Sequence, residues 1–359
     1  MGATVKHQPV SSDTVNRRRF LKLSLAGASA LGFGSCLAGN HARSTKQTGA
    51  TGALAQRHRL PDRPAPPAKS RVAVVRASGF PSHQKALERA IALAGGLAFI
   101  QPGETVLLKP AVNSTRRYPA TTDPETVWIV AELVKEVGGK PFVADRTMFL
   151  RSTETAFRET AITDAAGQAG IPCRFLDDDD SIPIPHPLAE HWWGNSIRIY
   201  ASAVEADHII NLCTPRTHFA GDFTMSMKNN VGLVNAVSRL PMHAPSGLKD
   251  RLAEINLVTR PSLIVMDGRE GFTDGGPDSG DLARPGFIAA GSDPVAIDAV
   301  GLAHLRLEGA NETIGEGSIW KIPMMKRAVE IGVGVGSGRA IALIGTAPAA
   351  EARLRAQLA

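Results

Sequence analysis

Arg216, Thr217, His218, Lys228 and Asn229 all fall within one short segment, RTHFAGDFTMSMKNNVG, which runs from Arg216 to Gly232. Their types suit anion chemistry. An imidazole titrates near neutrality and can serve as acid or base. Arginine and lysine hold carboxylates and phosphates, the first as a fork and the second as a point charge. The segment follows an apolar run, His208 to Cys213, that reads as a strand, and it enters a helix near Met225. Lys228 then lies in the first turns, where a lone cation opposes the helix dipole. Asn229 and Asn230 are poor mid-helix residues. A frayed surface helix would explain the asparagines. It would not explain Met225, Met227, Val231 and Leu233 packed around them. Local rules broken inside an apolar frame point to a functional site.

Other polar residues end apolar runs in the same way. Lys109 and Asn113 follow TVLL, Asp145 follows FVA, Asn211 follows HII, and Asp267 follows LIVM. In open parallel sheets, ligands bind outside the carboxyl ends of the strands. We therefore expect Lys109, His218, Lys228 and Asp267 as catalytic candidates and Asn113, Arg216, Thr217 and Asn229 as substrate-binding ones. Asp145 and Asp267 could ligate a divalent cation or pair with Lys109 or Lys228. Asp123 and Asp293 each precede a proline and fit helix N-caps. GVGVGSG (332–338) follows a helix and precedes a strand, the reverse of a dinucleotide loop. DGGPDSGD (274–281) lacks the spacing of a calcium loop and reads as a mobile loop or lid.

These residues must be positioned by a framework, and the sequence describes one. RVAVVRAS, TVLLKPAV and PFVAD read as short strands. Between them stand helix patterns capped by Ser82 and Asp123 and stopped by Gly95–Gly96 and Gly138–Gly139. A further helix is expected over 153–169, with CRFL as a following strand, and DPVAIDAVGLAHLRL as a later helix. Such βαβ alternation implies crossovers and parallel pairing. The reading is a single α/β domain over 70–348, a mostly parallel twisted sheet with helices on both faces. An irregular insertion is expected around 177–196 and a tail over 349–359.

The formal charge of +6 is carried by the first 69 residues, and the remaining 290 hold 29 Lys/Arg against 32 Asp/Glu. The expected body thus has no basic footprint for nucleic acid. The three cysteines form no CxxC, so no iron–sulfur cluster is expected on this chain's thiolates. Cofactors otherwise stay open, a divalent cation among them.

NRRRFLKLSLAGASALGFGSC resembles a twin-arginine (Tat) leader, with Arg17–Arg18 before an apolar stretch, Leu23 to Ser35. That stretch spans about 20 Å as a helix, short of the ~30 Å bilayer core, and reads as a signal-peptide region over 1–38. FGSC resembles a lipobox in which Cys36 would be lipidated, although Phe33 stands where leucine is usual. Residues 39–69 read as a disordered Pro/Ala/Arg-rich linker. The resemblance implies the Tat translocase as a partner, export in the folded state, and a periplasmic or cell-envelope location. Membrane contact would come only through the leader or a lipid anchor.

VLLKPAVN, ATTDPETVWIVAELVKEVGGKPFVAD, DHIINLCTPRTHFAGDFTMSMKNNVG, GSDPVAIDAV and EIGVGVGSG…IALIG resemble, in order, the blocks of the family called domain of unknown function 362. Together they cover roughly 71–346. Some members are associated with iron–sulfur clusters on added cysteine-rich segments, and this sequence has no such segment. In CTPRTH the family's first lysine is replaced, while Arg216 keeps a cation. The resemblance implies no reaction. The residues themselves suggest an exported enzyme acting on a small anionic molecule, or else a non-catalytic periplasmic binding or redox-accessory protein.

Overall fold

The computed structural model describes residues 68–148, 151–242 and 246–359. The leader over 1–38, its Cys36 and nearly all of the linker lie outside the described residues.

Eight strands form the main sheet: β1 (Ser70–Arg76), β2 (Thr105–Pro110), β3 (Lys140–Asp145), β4 (Cys173–Phe175), β7 (His208–Cys213), β10 (Leu263–Gly268), β13 (Phe287–Gly291) and β14 (Ile341–Ile344), in the order β14-β1-β13-β10-β7-β2-β3-β4. Only β13 runs against its neighbours in this sheet; the other pairings are parallel. The strands are apolar on both sides, as a sheet covered on both faces requires. Val106 and Leu108 of β2 pack with helices His83–Ala94, Pro124–Glu136 and Ile162–Gln168. Leu107, between them, faces the layer of helices Leu248–Glu254, Pro294–Leu307 and Pro323–Glu330.

The caps are those the sequence signals. Ser82 accepts from Lys85 N, Asp123 from Glu125 N, and Asp293 from Val295 N and Ala296 N. Asp293 also accepts from Val335 N and Ser70 Oγ. Gly334 is needed there, because a Cβ would meet Asp293 Oδ1. The glycine-rich 332–338 stretch is thus a close structural approach between backbone and cap.

Three elements differ from the sequence expectation, and the expected 177–196 insertion proves to carry a hairpin strand. Instead of one helix over 153–169 there are two, Thr153–Glu159 and Ile162–Gln168, broken at Ala161 with φ of 61°. The strand His208–Cys213 does not lead straight into a helix. A hairpin intervenes, β8 (Arg216–His218) and β9 (Asp222–Thr224), which joins β11 (Gly271–Asp274) and β12 (Asp281–Ala283) in a second, four-stranded sheet. The 177–196 insertion carries β5 (Ser181–Pro185), which pairs antiparallel with β6 (Ser196–Tyr200). The last residues form a helix, Pro348–Leu358, with Leu354 and Leu358 buried. No helix among the described residues is long and apolar enough to cross a membrane.

Candidate functional site

Lys109 sits inside β2 and is fully buried. An ammonium there needs a counter-charge and acceptors. Its Nζ lies 2.9 Å from Asp145 Oδ1 and donates to Pro110 O at 2.6 Å and to Asn229 Oδ1 at 3.0 Å. Asp145 Oδ2 also accepts from Val112 N at 3.1 Å, and Oδ1 from Arg146 N at 2.8 Å. Burial pushes the Lys109 ammonium down and the Asp145 carboxyl up, and their mutual attraction opposes both shifts.

A chain of buried amides continues from Lys109. Asn229 Nδ2 donates to Asn211 Oδ1 at 2.9 Å, Asn211 Nδ2 to Asn230 Oδ1 at 2.9 Å, and Asn230 Nδ2 to Asn256 Oδ1 at 2.9 Å. The Asn256 amide in turn reaches Leu252 O at 3.0 Å. Every member is used, as a buried polar network must be. The asparagines are not frayed mid-helix residues. The helix Ser226–Asn229 is one turn long, and they end it and stitch it to β2, β7 and the turn Ile255–Leu257 that follows the Leu248–Glu254 helix. Its start is held by Asp298, which accepts from Ser226 N at 2.8 Å, Ser226 Oγ at 2.5 Å and Met227 N at 3.1 Å. Burial raises the Asp298 carboxyl to about 7, against these hydrogen bonds.

Lys228 projects from this clamped turn. It is only partly exposed and has no hydrogen-bond or ion-pair partner among the described residues. Burial first, and then repulsion from Arg216, lower its pKa from 10.5 to about 7; Asp278 pulls the other way and Arg239 adds to the fall. Arg216 is buried in β8, with Nη1 donating to Ala120 O and to Pro277 O, the latter at 3.1 Å. Its Nε has no partner. Burial brings this guanidinium down to about 10, opposed by Asp278. Asp278 accepts from Asn113 Nδ2 at 3.4 Å and from Arg151 Nη1 at 2.9 Å.

The expected site residues therefore separate into four sets. Lys109, Asp145 and Asn229 form one bonded interior cluster. Asn113 bonds Asp278, whose charge also acts on Arg216 and Lys228, and Thr217 Oγ1 accepts from Gly276 N on the same loop at 3.2 Å. His218 lies at the hairpin turn, where Nδ1 accepts from Ala220 N and Gly221 N, both at 3.1 Å, and the ring stacks on Phe219. That nitrogen shapes the turn and is not presented to a ligand.

Asp267 stands elsewhere. It accepts from Arg269 Nε at 3.0 Å, Tyr118 Oη at 3.0 Å and Thr126 Oγ1 at 3.2 Å. Asp145 and Asp267 thus do not converge as a cation pair; each faces its own cation. Among the described residues, His83, Asp123 and Glu125 do place potential ligand atoms within 4.8 Å of one another. Arg269 already bonds one oxygen of Asp123 and fills part of that space.

Sequence reading missed Asp298, Asp278, Arg239 and Asn256. Asp298 had a signal, an acid inside an otherwise apolar helix, Pro294–Leu307. Asp278 stood in the glycine-rich loop noted as a lid. Arg239 and Asn256 carried none, because what they tie together, Arg239 to Thr147 O and Asn256 to Asn230 and Met227 O, is distant in sequence.

Residues 106–303 match the family described as Domain of unknown function (DUF362). The chain is 31% identical over 230 residues to the thylakoid-associated protein sll1697 of Synechocystis sp., covering 60% of this chain and 68% of that protein. Among solved structures, the lactate racemase apoprotein from Thermoanaerobacterium thermosaccharolyticum aligns with a TM-score of 0.36 and 13% identity, over 68% of this chain and 59% of that one.

Proposed function

The chain belongs to the family described as Domain of unknown function (DUF362), and from that premise we propose an enzyme acting on a small anionic molecule beyond the carboxyl ends of β2 and β7. One observation carries this reading. Lys228 is an ammonium with no partner among the described residues, desolvated and repelled by the buried guanidinium of Arg216, and its pKa falls to about 7. A lysine tuned to that range can give or take a proton at working pH. Two cations that share the field of a single carboxylate, itself bonded to Arg151, favour an incoming anion. Arg216 and Lys228 hold its acidic group, and Lys228 exchanges the proton.

The test is thermal melting of the protein with inorganic phosphate, acetate and chloride, at pH 6 and pH 9. An anion that binds the ammonium form raises that form's pKa, so affinity falls as pH rises through about 7. Phosphate or acetate should raise the melting temperature at pH 6 and do so less at pH 9, and Lys228→Met should abolish the difference. Equal shifts at both pH values, or an unchanged response in Lys228→Met, would contradict the assignment. A protein that only binds would pass this test and show no turnover of any carboxylate or phosphate substrate.

The place of action rests on the leader. Arg17–Arg18 and the apolar Leu23 to Ser35 support folded export by the twin-arginine route to the periplasm or cell envelope, with Cys36 as the lipid acceptor. Replacing both arginines with lysine should leave the full chain in the cytoplasm of a Tat-competent host. Undiminished export of that variant counts against the route, and label from a radioactive fatty acid retained in Cys36→Ala counts against the anchor.

A further inference from the structure

His83 opens the helix His83–Ala94, and its side chain is only 5% exposed. Nε2 lies 2.7 Å from Thr126 Oγ1, and that hydroxyl donates its single hydrogen to Asp267 Oδ2 at 3.2 Å. Asp267 is in turn held by Arg269 Nε at 3.0 Å and Tyr118 Oη at 3.0 Å. A hydroxyl that donates to Asp267 can only accept from the imidazole. Nε2 therefore carries the ring hydrogen, and Nδ1 is left as a bare lone pair. Nδ1 is buried and has no partner. Burial also lowers the His83 pKa, against the pull of Asp267, and so favours the neutral ring.

Two carboxylates share that neighbourhood. One oxygen of Asp123, one of Glu125 and a ring nitrogen of His83 lie within 4.8 Å of one another. Thr126 occupies Nε2, so Nδ1 is the nitrogen left to serve. Arg269 takes Asp123 Oδ2, while Oδ1 accepts from Glu125 N at 2.9 Å. Glu125 is exposed and can rotate to complete the set. Three electron-pair donors brought so close favour a cation among them. Asp123, Glu125 and Asp267 bring three negative charges and Arg269 one positive, so a divalent ion balances the group. The partial charges of about +0.5 at the two helix N-termini oppose a cation, and the carboxylates outweigh them. A water bonded to Nδ1 would stand about 2.9 Å away, whereas zinc bonds nitrogen at about 2.0–2.1 Å. Space closed around a lone pair thus suits a bare ion better than water. A metal-ligating imidazole characteristically gives its other N–H to a fixed acceptor, and a ligating carboxylate is itself hydrogen-bonded. Thr126 backed by Asp267 meets the first condition, and Arg269 on Asp123 meets the second. We propose that His83 Nδ1, Asp123 and Glu125 hold a divalent transition-metal ion of the zinc class, with Thr126 and Asp267 orienting the imidazole. One nitrogen and two oxygens suit that class, and three protein ligands leave a fourth position for water or a ligand. The site shares no residue with the anion site proposed above, and each stands or falls without the other.

The experiment is calorimetric titration of the chelator-treated full chain with zinc chloride and, separately, calcium chloride, using wild type, His83→Gln, Asp123→Asn and Glu125→Gln. Asparagine is itself a good N-cap, so Asp123→Asn keeps the start of the helix Pro124–Glu136, and Glu125→Gln alters only an exposed side chain. Wild type should take up one equivalent of zinc. Each variant should lose at least about tenfold in zinc affinity, the lower bound seen even for partners that only orient a ligand. Calcium, which prefers oxygen ligands, should bind wild type at least about tenfold more weakly than zinc. No zinc uptake by wild type overturns the proposal. So does zinc held with equal affinity by wild type, Asp123→Asn and Glu125→Gln, which would place the bound ion elsewhere on the chain. Calcium bound as tightly as zinc, with zinc affinity unchanged in His83→Gln, would leave a carboxylate patch without a nitrogen ligand and overturns it as well.

Discussion

Lys109 and Lys228 bring the same ammonium into two different states. Lys109 is wholly buried and saturated, with Asp145 as counter-ion and two oxygen acceptors. Lys228 is half-buried and has no such partner. A fully satisfied pair holds a structure in one arrangement, whereas breaking it leaves a charge stranded in low dielectric. Lys109→Met should therefore destabilise the protein by about 3–5 kcal/mol, because Asp145 is then left alone. Lys109→Met/Asp145→Leu should recover much of that loss in urea unfolding. A single variant within error of wild type would show that the pair is not charged in the fold. The sequence showed that Lys109, inside VLLKPAV, had to pair or face a ligand. It could not show which acid answers it. That is set by β2 lying in register beside β3, Leu108 opposite Val143, which brings the ends of the two strands together.

At the scale of elements, the decisive piece is the turn Ser226–Asn229 with the tight turn Asn230–Leu233 that follows it. So short a helix has little stability of its own. Asp298 at its start, and the amide chain from Lys109 to Asn256 at its end, hold it instead, and so aim Lys228. Gly232 lets the turn close on the ion pair, since a Cβ there would strike Asp145 Oδ1 and Lys109 Cε. Gly232→Ala should cost about 2–3 kcal/mol from overpacking alone. A denaturation midpoint equal to wild type would mean that the turn can back away and is not clamped. The sequence marked this segment as abnormal through its asparagines and its lysine in an apolar frame. The β8–β9 hairpin ahead of it was not legible, because three-residue strands such as RTH and DFT carry no periodicity. The break at Ala161 was hidden for a related reason: nothing about an alanine announces a left-handed backbone.

Across the whole molecule, the α/β class was legible because strand runs alternated with capped helices, and both faces of the main sheet are indeed covered by helices. The reversed β13 was not, since a buried antiparallel strand uses the same apolar residues as a parallel one. The site was legible as a set of residue types at strand ends and illegible as a geometry. Topology sent Asp267 to Arg269 and Tyr118, and set Asn113 against a loop acid, Asp278, that had only been read as part of a lid and whose charge acts on Arg216 and Lys228. The central claim is that the fold keeps an ammonium available beside a guanidinium for an anion. Its most direct measurement is a pH titration of the Lys228 side chain by NMR, with the signal assigned through Lys228→Arg. The titration should give a midpoint of about 7, which inorganic phosphate moves upward. A midpoint near the ordinary lysine value of 10.5, unmoved by phosphate, would contradict it.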